Sequence, residues 1–122
     1  MKVRGVLHGS VNVEGRLEES RRFYEDLLGL EMIARPEIPG VAGHWFTTGG
    51  VELHLVDAPT GDAQIRPTDH HVCFAVDDLD ATVAELEASG IASLRSAQGD
   101  VVQIFITDPA GNVIELQQAR PQ

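Results

Sequence analysis

The chain has 122 residues, of which 43% are hydrophobic and 23% charged, a composition typical of one compact globular domain. Nineteen acidic residues against nine Lys and Arg give a formal net charge of -10. This charge repels phosphate backbones and anionic lipid head groups, so we expect neither nucleic-acid nor membrane binding. The single cysteine, Cys73, excludes an intrachain disulfide, and the first residues include no apolar run typical of a signal peptide. We therefore expect a cytoplasmic protein with Cys73 buried in its core.

The first half of the chain predicts a strand, a helix and about three further strands. Residues 4–13 alternate weakly between apolar and polar, which is typical of a strand. Apolar residues then recur at helical spacing up to Gly29, where the helix is expected to end. Residues 58–68 are rich in Pro, Gly and polar side chains, and they predict a linker. The three strands predicted in between are residues 32–35, 44–48 and 51–56.

The second half repeats this order. An apolar run, residues 71–76, predicts a strand, and Asp77 or Asp78 can cap a helix that ends before Gly90. A turn at Asp108-Pro109-Ala110-Gly111-Asn112 is expected to precede the last strand. The sequence therefore predicts one α+β domain, residues 1–122, built from two tandem βαβββ modules at about residues 4–57 and 69–118. The last three strands of the second module are predicted at residues 91–94, 101–107 and 113–118.

The internal repeat aligns four side chains that can bind a metal ion. HGSVNVEGRLEES, which begins at His8, matches HVCFAVDDLDAT, which begins at His71. GVELHLVDAP matches GNVIELQQARP, which places His54 on Glu115. All four side chains lie among apolar strand residues, where an unpaired polar group costs about 1–3 kcal/mol. One shared divalent cation would satisfy all four, and Zn, Ni, Co, Mn and Fe(II) all suit such ligands.

Two further sets of residues extend this site, and each has an alternative interpretation. Glu52 shares a strand face with His54, so it is an alternative fourth ligand. The aromatic patch His44, Trp45 and Phe46 precedes that strand and is expected to line a substrate pocket. Trp45 and Phe46 also fit an ordinary strand in which core and rim residues alternate.

Four motifs carry a resemblance to a known family across nearly the whole chain. They are His8 followed by Val13, FYEDLLGL from Phe23, HVCFAVDDLDA from His71 and DPAGNVIEL from Asp108. On these motifs the chain resembles the vicinal oxygen chelate superfamily, which includes glyoxalase I, methylmalonyl-CoA epimerase, extradiol dioxygenases and bleomycin resistance proteins. The resemblance implies that the two modules form a curved mixed sheet that cups a metal or ligand site, commonly in a homodimer. It also implies ligand positions at His8, His71 and Glu115, with His54 or Glu52 as the fourth.

The resemblance implies a function in which the metal chelates two neighbouring oxygens of a small substrate and stabilises an enediolate. We therefore expect a metal-dependent isomerase or lyase of the glyoxalase type, in which Glu115 is also the catalytic carboxylate. A histidine at position 54, where glyoxalase I often has a second carboxylate, argues against glyoxalase activity itself. The first alternative is a resistance protein that binds a small-molecule drug. The second is an extradiol-type Fe(II) dioxygenase that uses His8, His71 and Glu115.

Overall fold

The computed structural model describes residues 1–59, 62–107, 109 and 112–120. It confirms an α+β domain with the predicted order of elements. Most of the expected turn at residues 108–112 lies outside the described residues, as do residues 60 and 61 of the expected linker. The strands are β1 Val3–Asn12, β2 Glu31–Ile33, β3 Ala42–Thr47, β4 Glu52–Asp57, β5 His71–Val76, β6 Leu94–Gln98, β7 Val101–Thr107 and β8 Val113–Gln118. The helices are α1 Leu17–Arg22, which continues into a π-helical turn at Phe23–Leu27, and α2 Leu79–Ala88.

The eight strands form one curved mixed sheet in the order β2-β3-β4-β1-β5-β8-β7-β6. Strand β1 pairs with β4 in parallel, and β5 pairs with β8 in parallel. The two halves join where β1 and β5 pair in antiparallel orientation. The first strand of each half therefore lies at the centre of the sheet, and the short strands β2 and β6 form its edges.

The pairing of β1 with β5 relates the two halves by an approximate twofold axis. Ser10 is the partner of His71, and His8 is the partner of Cys73. Exchanging the two strands converts one pair into the other if His8 is equivalent to His71 and Ser10 to Cys73. The sheet register therefore supports the equivalence of His8 and His71 that the sequence repeat indicated.

The same axis relates β4 to β8. Ser10 pairs with His54 in β4, and its equivalent, Cys73, pairs with Glu115 in β8. His54 and Glu115 are thus equivalent positions. Glu52 lies two residues before His54 on β4 and pairs with His8 instead. Because alternate residues of a strand share a face, all of these side chains lie on the same side of the sheet.

Both helices pack against the opposite face of the sheet. Asp78 begins α2 as its N-cap, where the carboxylate accepts a hydrogen bond from the Ala81 backbone N–H at 3.0 Å. On the other half, the Tyr24 ring lies 6.2 Å from the fully buried ring of Phe46. Burial of these apolar faces leaves the other side of the sheet free to form a cavity. The core under α2 consists of Val76, Leu79, Leu86, Ile104 and Leu116.

The structure corrects the predicted start of one strand. Residues 91–94 were expected to form a strand, but β6 begins only at Leu94. Gly90 has a φ of 69°, in the left-handed region that commonly ends a helix, and the Ile91 backbone N–H donates to the Leu86 carbonyl at 3.0 Å. Ile91 therefore belongs to the end of α2, and the chain needs the next two residues to reach the sheet edge.

Within the part of the chain that the structure describes, neither helix has the length and apolar character that a membrane span requires.

Candidate metal centre

The concave face of the sheet holds a cavity of about 420 Å³. Strands from both halves line it, so residues distant in the sequence meet there. All predicted ligands and the alternative to one of them lie in its wall, and all belong to one chain. They are His8, Glu52, His54, His71 and Glu115.

Three of these side chains direct a donor atom at a common point. His8 Nε2 lies 3.2 Å from Glu115 Oε1, and His71 Nε2 lies 3.0 Å from the same oxygen. The two imidazole Nε2 atoms are 3.4 Å apart. All three side chains are buried, with exposed fractions of 5% for His8, 9% for His71 and 1% for Glu115.

These separations match the spacing of ligands around a metal ion. Nitrogen and oxygen ligands bind zinc at about 2.0–2.1 Å, which puts tetrahedral neighbours about 3.3 Å apart and neighbours at right angles about 3.0 Å apart. The observed distances of 3.0, 3.2 and 3.4 Å span this range. The residues present therefore fit a divalent cation with two imidazole ligands and one carboxylate ligand.

The second ring nitrogen of His71 supports the same conclusion. Its Nδ1 lies 2.7 Å from the Asp69 backbone carbonyl, which accepts a hydrogen bond from the Nδ1–H. Metal-binding histidines generally use the other ring nitrogen in this way, which fixes the tautomer and the ring orientation. With Nδ1 protonated, Nε2 needs a proton or a cation between itself and the Glu115 oxygen. A single cation would serve His71, His8 and Glu115 together, whereas one proton can bridge only two of them.

His54 contacts one of the other three residues, His8, by ring stacking, and its Nε2 is directed at Glu52 instead. Its imidazole stacks between His8 and Trp45, with ring centroids 3.9 Å away on either side. Its Nε2 lies 2.9 Å from Glu52 Oε1. Burial, together with the neighbouring His8, lowers the pKa of His54 to about 4, although Glu52 opposes this shift. His54 is therefore neutral near pH 7, with its Nε2 engaged by Glu52.

The Glu115 side chain is almost fully buried, and it is held as a carboxylate. Burial alone would raise its pKa, but hydrogen bonds from His71 and His8 outweigh burial and hold the pKa well below its usual value. Its second oxygen, Oε2, accepts from Gln117 Nε2 at 2.6 Å and from Gln103 Nε2 at 3.3 Å. The Cys73 thiol is also a neighbour, with Sγ 3.4 Å from Oε2.

The sequence patterns did not identify Gln103 and Gln117 as part of this site, and they indicated only burial for Cys73. The burial of Cys73 is confirmed. The thiol sulfur and donor atoms of His8 and Glu115 lie within 4.8 Å of one another, so Cys73 borders the same cluster. A period of two along each strand could have placed Cys73 beside His71 and Gln117 beside Glu115 on one face. Gln103 depends on the register between β7 and β8, which the sequence does not specify.

Of the three residues of the expected aromatic pocket, the structure places one in the wall of the cavity. Trp45 lines the cavity, but Phe46 is fully buried on the opposite face against Tyr24. His44 has the same strand parity as Phe46, so its side chain lies on the helix side of the sheet. Alternation along β3 therefore separates Trp45 from both of its neighbours.

Comparisons with known proteins identify the family. The model of the Glyoxalase/Bleomycin resistance protein/Dioxygenase superfamily matches residues 8–116. The chain is 32% identical to "Glyoxylase I 4" of Arabidopsis thaliana over 82% of its length, and it spans 63% of the length of that protein. It is 32% identical to the mitochondrial methylmalonyl-CoA epimerase of Mus musculus, covering 84% of this chain and 67% of the relative. It is 31% identical to a lactoylglutathione lyase of Haemophilus influenzae, covering 90% of this chain and 89% of the relative.

Solved structures support the same fold. A hypothetical protein from Bacillus halodurans C-125 superposes with a TM-score of 0.74 at 15% identity, covering 96% of this chain and 95% of the other. A variant of homoprotocatechuate 2,3-dioxygenase from Brevibacterium fuscum superposes with a TM-score of 0.72 at 19% identity, and this chain spans 33% of its length. At these identities the likeness concerns the fold alone. The match over residues 8–116, and relatives above 30% identity along most of the chain, establish that this protein belongs to the glyoxalase/bleomycin resistance protein/dioxygenase superfamily.

Proposed function

We propose that the protein is a metal-dependent isomerase or lyase that acts on a small oxygen-chelating substrate through an enediolate-type intermediate. The observation that carries the proposal is the convergence of His8, His71 and Glu115 at distances of 3.0 to 3.4 Å inside the cavity. Sequence relatives named as a lactoylglutathione lyase and a methylmalonyl-CoA epimerase support this class of reaction.

In this proposal His8, His71 and Glu115 hold the divalent cation, and His54 is the fourth ligand. A cation bound there supplies electrostatic stabilisation of negative charge that develops on a substrate oxygen. For His54 to take part, its Nε2 must exchange the Glu52 oxygen for the cation. Glu52 thus serves as the partner of His54 in the metal-free protein, and not as the ligand itself.

The remaining chemistry is assigned to residues of this chain. Glu115 is proposed as the carboxylate that accepts a proton from a substrate carbon: it lines the cavity, it is ionised, and its Oε1 would leave the cation to take the proton. Glu52 is a second carboxylate in the cavity wall and is more exposed, with 28% of its side chain accessible. Trp45 provides an apolar surface that excludes water from one side of the substrate.

A second candidate function is supported by one observation. Because His54 Nε2 is engaged by Glu52, the compact set consists of two histidines and one carboxylate. This is the ligand set of Fe(II) oxygenases that leave coordination positions open for substrate and oxygen. An extradiol-type dioxygenase is therefore the alternative enzyme, and drug binding without catalysis is the alternative outside enzymes.

The test is exchange of a substrate carbon-bound proton with solvent deuterium. Metal-free protein is loaded separately with Zn, Ni, Co, Mn or Fe(II) and incubated in D₂O with S-lactoylglutathione or methylmalonyl-CoA. With loaded protein, the proton NMR signal of the carbon next to the carbonyl should disappear as deuterium replaces the proton, and the signal should persist with metal-free protein or Glu115→Gln. Exposed Glu87, on α2, provides the matched control, and Glu87→Gln should exchange as the wild type does.

The competing functions predict other results. Oxygen uptake by the Fe(II)-loaded protein with homoprotocatechuate, without exchange on either thioester, would replace the proposal with the dioxygenase. If the protein binds none of the five metals, the enzymatic proposal fails and the drug-binding alternative is left.

A further inference from the structure

The two oxygens of Glu115 have separate sets of partners. Oε1 faces His8 and His71, at 3.2 and 3.0 Å. Among the described residues, Oε2 accepts from side chains on its other side, which are Gln117, Gln103 and Cys73. At 1% exposure, Glu115 cannot satisfy either oxygen with bulk water.

The donors to Oε2 come from three strands of the sheet. Gln117 follows Glu115 on β8 with one residue between them, Gln103 lies on β7, and Cys73 is the direct register partner of Glu115 on β5. Neighbouring strands thus fix the carboxylate plane from both sides. A carboxamide N–H₂ donates without gaining or losing a proton, so Gln103 and Gln117 donate regardless of pH.

From this division we infer that Gln103 and Gln117 are positioning residues. Their hydrogen bonds hold Oε2, so that only Oε1 is available to bind the metal. Glu115 then binds the cation through one oxygen, with its orientation set before the cation arrives. The inference rests on the metal site proposed above and adds two residues to which no role has been given. Hydrogen-bond partners of metal ligands commonly contribute 10- to 100-fold in metal affinity.

The test compares Gln103→Met, Gln117→Met and the double variant with the wild-type protein. Methionine keeps the side-chain length and removes the N–H donors. Gln98 offers a matched control because it also lines the cavity, and it belongs to β6, which β7 separates from the strand of Glu115. The probe is Co(II), because its visible absorption spectrum reports the number and type of ligands, a property that a merely structural role would not change.

We expect the dissociation constant for Co(II) to rise about tenfold in each single variant and up to about 100-fold in the double variant. We also expect the Co(II) spectrum to change in these variants, as Oε2 becomes free to bind the ion. Gln98→Met should match the wild type in both measurements. Unchanged affinity and spectrum in the double variant, with Co(II) bound by the wild type, would overturn the role of the two glutamines and leave the metal site intact. Failure of the wild type to bind Co(II) or any other divalent metal would overturn both.

Two measurements keep the test decisive if Gln117→Met fails to fold. Gln103→Met removes the longer of the two hydrogen bonds and should therefore disturb folding less. In that case the Co(II) affinity of Gln103→Met alone tests the inference. A crystal structure of the Co(II)-loaded wild type should have Oε1 on the metal and Oε2 still within hydrogen-bond distance of Gln103 and Gln117. Oε2 on the metal would contradict the inference. A near-ultraviolet thiolate band that disappears in Cys73→Ser would also contradict it, because Cys73 would then be a ligand and not a donor to Oε2.

Discussion

His8 Nε2 lies 3.2 Å from Glu115 Oε1 although strand β5 separates their strands in the sheet. Neighbouring strands of a sheet are about 4.8 Å apart, so these two side chains must extend towards each other over the strand between them, and the curvature of the sheet shortens that distance. His71 extends from the intervening strand into the same space, 3.0 Å from Glu115 Oε1. Side chains from three adjacent strands of the curved sheet thus meet at one carboxylate oxygen.

The metal affinities of two variants should show whether His54 or Glu52 is the fourth ligand. We expect His54→Ala to weaken metal binding, because the equivalent position in the other half is Glu115. Glu52→Ala should leave metal affinity unchanged or higher, since it releases His54 Nε2 from its 2.9 Å contact. Isothermal titration of both variants with Zn and Co measures this. A large loss of affinity in Glu52→Ala, with none in His54→Ala, would reverse the assignment.

Stability of the metal-free protein should fall as the pH decreases from about 6.5 towards about 4. His54 has a pKa of about 4 in the folded protein, against 6.5 when it is unperturbed, because it is buried beside His8. In this range the unfolded chain binds the proton more readily, so acidification favours unfolding. The stabilisation that neutral His54 contributes is fully present above pH 6.5 and is lost as the pH falls through the folded value.

Urea unfolding at pH 7, 6, 5 and 4 measures this dependence, with His54→Phe as the comparison. Phenylalanine keeps an aromatic ring between Trp45 and His8 but has no proton to gain. The variant should lose less stability than the wild type over the same range. Parallel curves for the two proteins would exclude His54 as the source of the pH dependence.

Cys73 should be inert in the folded protein. Its side chain is fully buried, and burial raises the pKa of the thiol, as does the adjacent Glu115 carboxylate. Because the thiolate is the reactive species, we expect no reaction with a colorimetric thiol reagent in native buffer and complete reaction in denaturant. Rapid labelling of the native, metal-free protein would contradict this burial.

Adjacent aromatic residues on β3 should respond differently to truncation. Phe46→Ala should lower the free energy of unfolding by about 3–5 kcal/mol, because the ring is fully buried under the helix side of the sheet. Trp45→Ala should cost less, since the indole lines the cavity, and it should mainly change ligand binding. Urea unfolding of both variants tests the difference. Equal losses of stability would mean that Trp45 is a core residue as well.

Much of this architecture was predictable because the chain repeats itself. The repeat indicated the equivalence of His8 and His71 and of His54 and Glu115 before any strand pairing was known, and the sheet register agrees. Strand β5 could be predicted to the residue, since His71–Val76 is an apolar run with clear boundaries.

The parts that could not be predicted depend on tertiary contacts. The turn expected between β7 and β8 indicates that these strands pair, but the register that brings Gln103 to Glu115 is not determined by the residue types. His44 and Phe46 were assigned to the pocket with Trp45 because they are contiguous, whereas a strand directs neighbouring side chains to opposite faces. The engagement of His54 Nε2 by Glu52 depends on side-chain conformation, which a pattern of residue types does not determine.

The most direct test of the metal centre is the metal content of the protein purified without chelators or an affinity tag of histidines, measured by plasma mass spectrometry beside Glu115→Ala. The account predicts about one equivalent of a divalent transition metal per chain in the wild type and almost none in the variant, because Glu115 is its only proposed carboxylate ligand. A wild-type protein that stays metal-free after incubation with Zn, Ni, Co, Mn and Fe(II), or a Glu115→Ala variant that retains full occupancy, would contradict it.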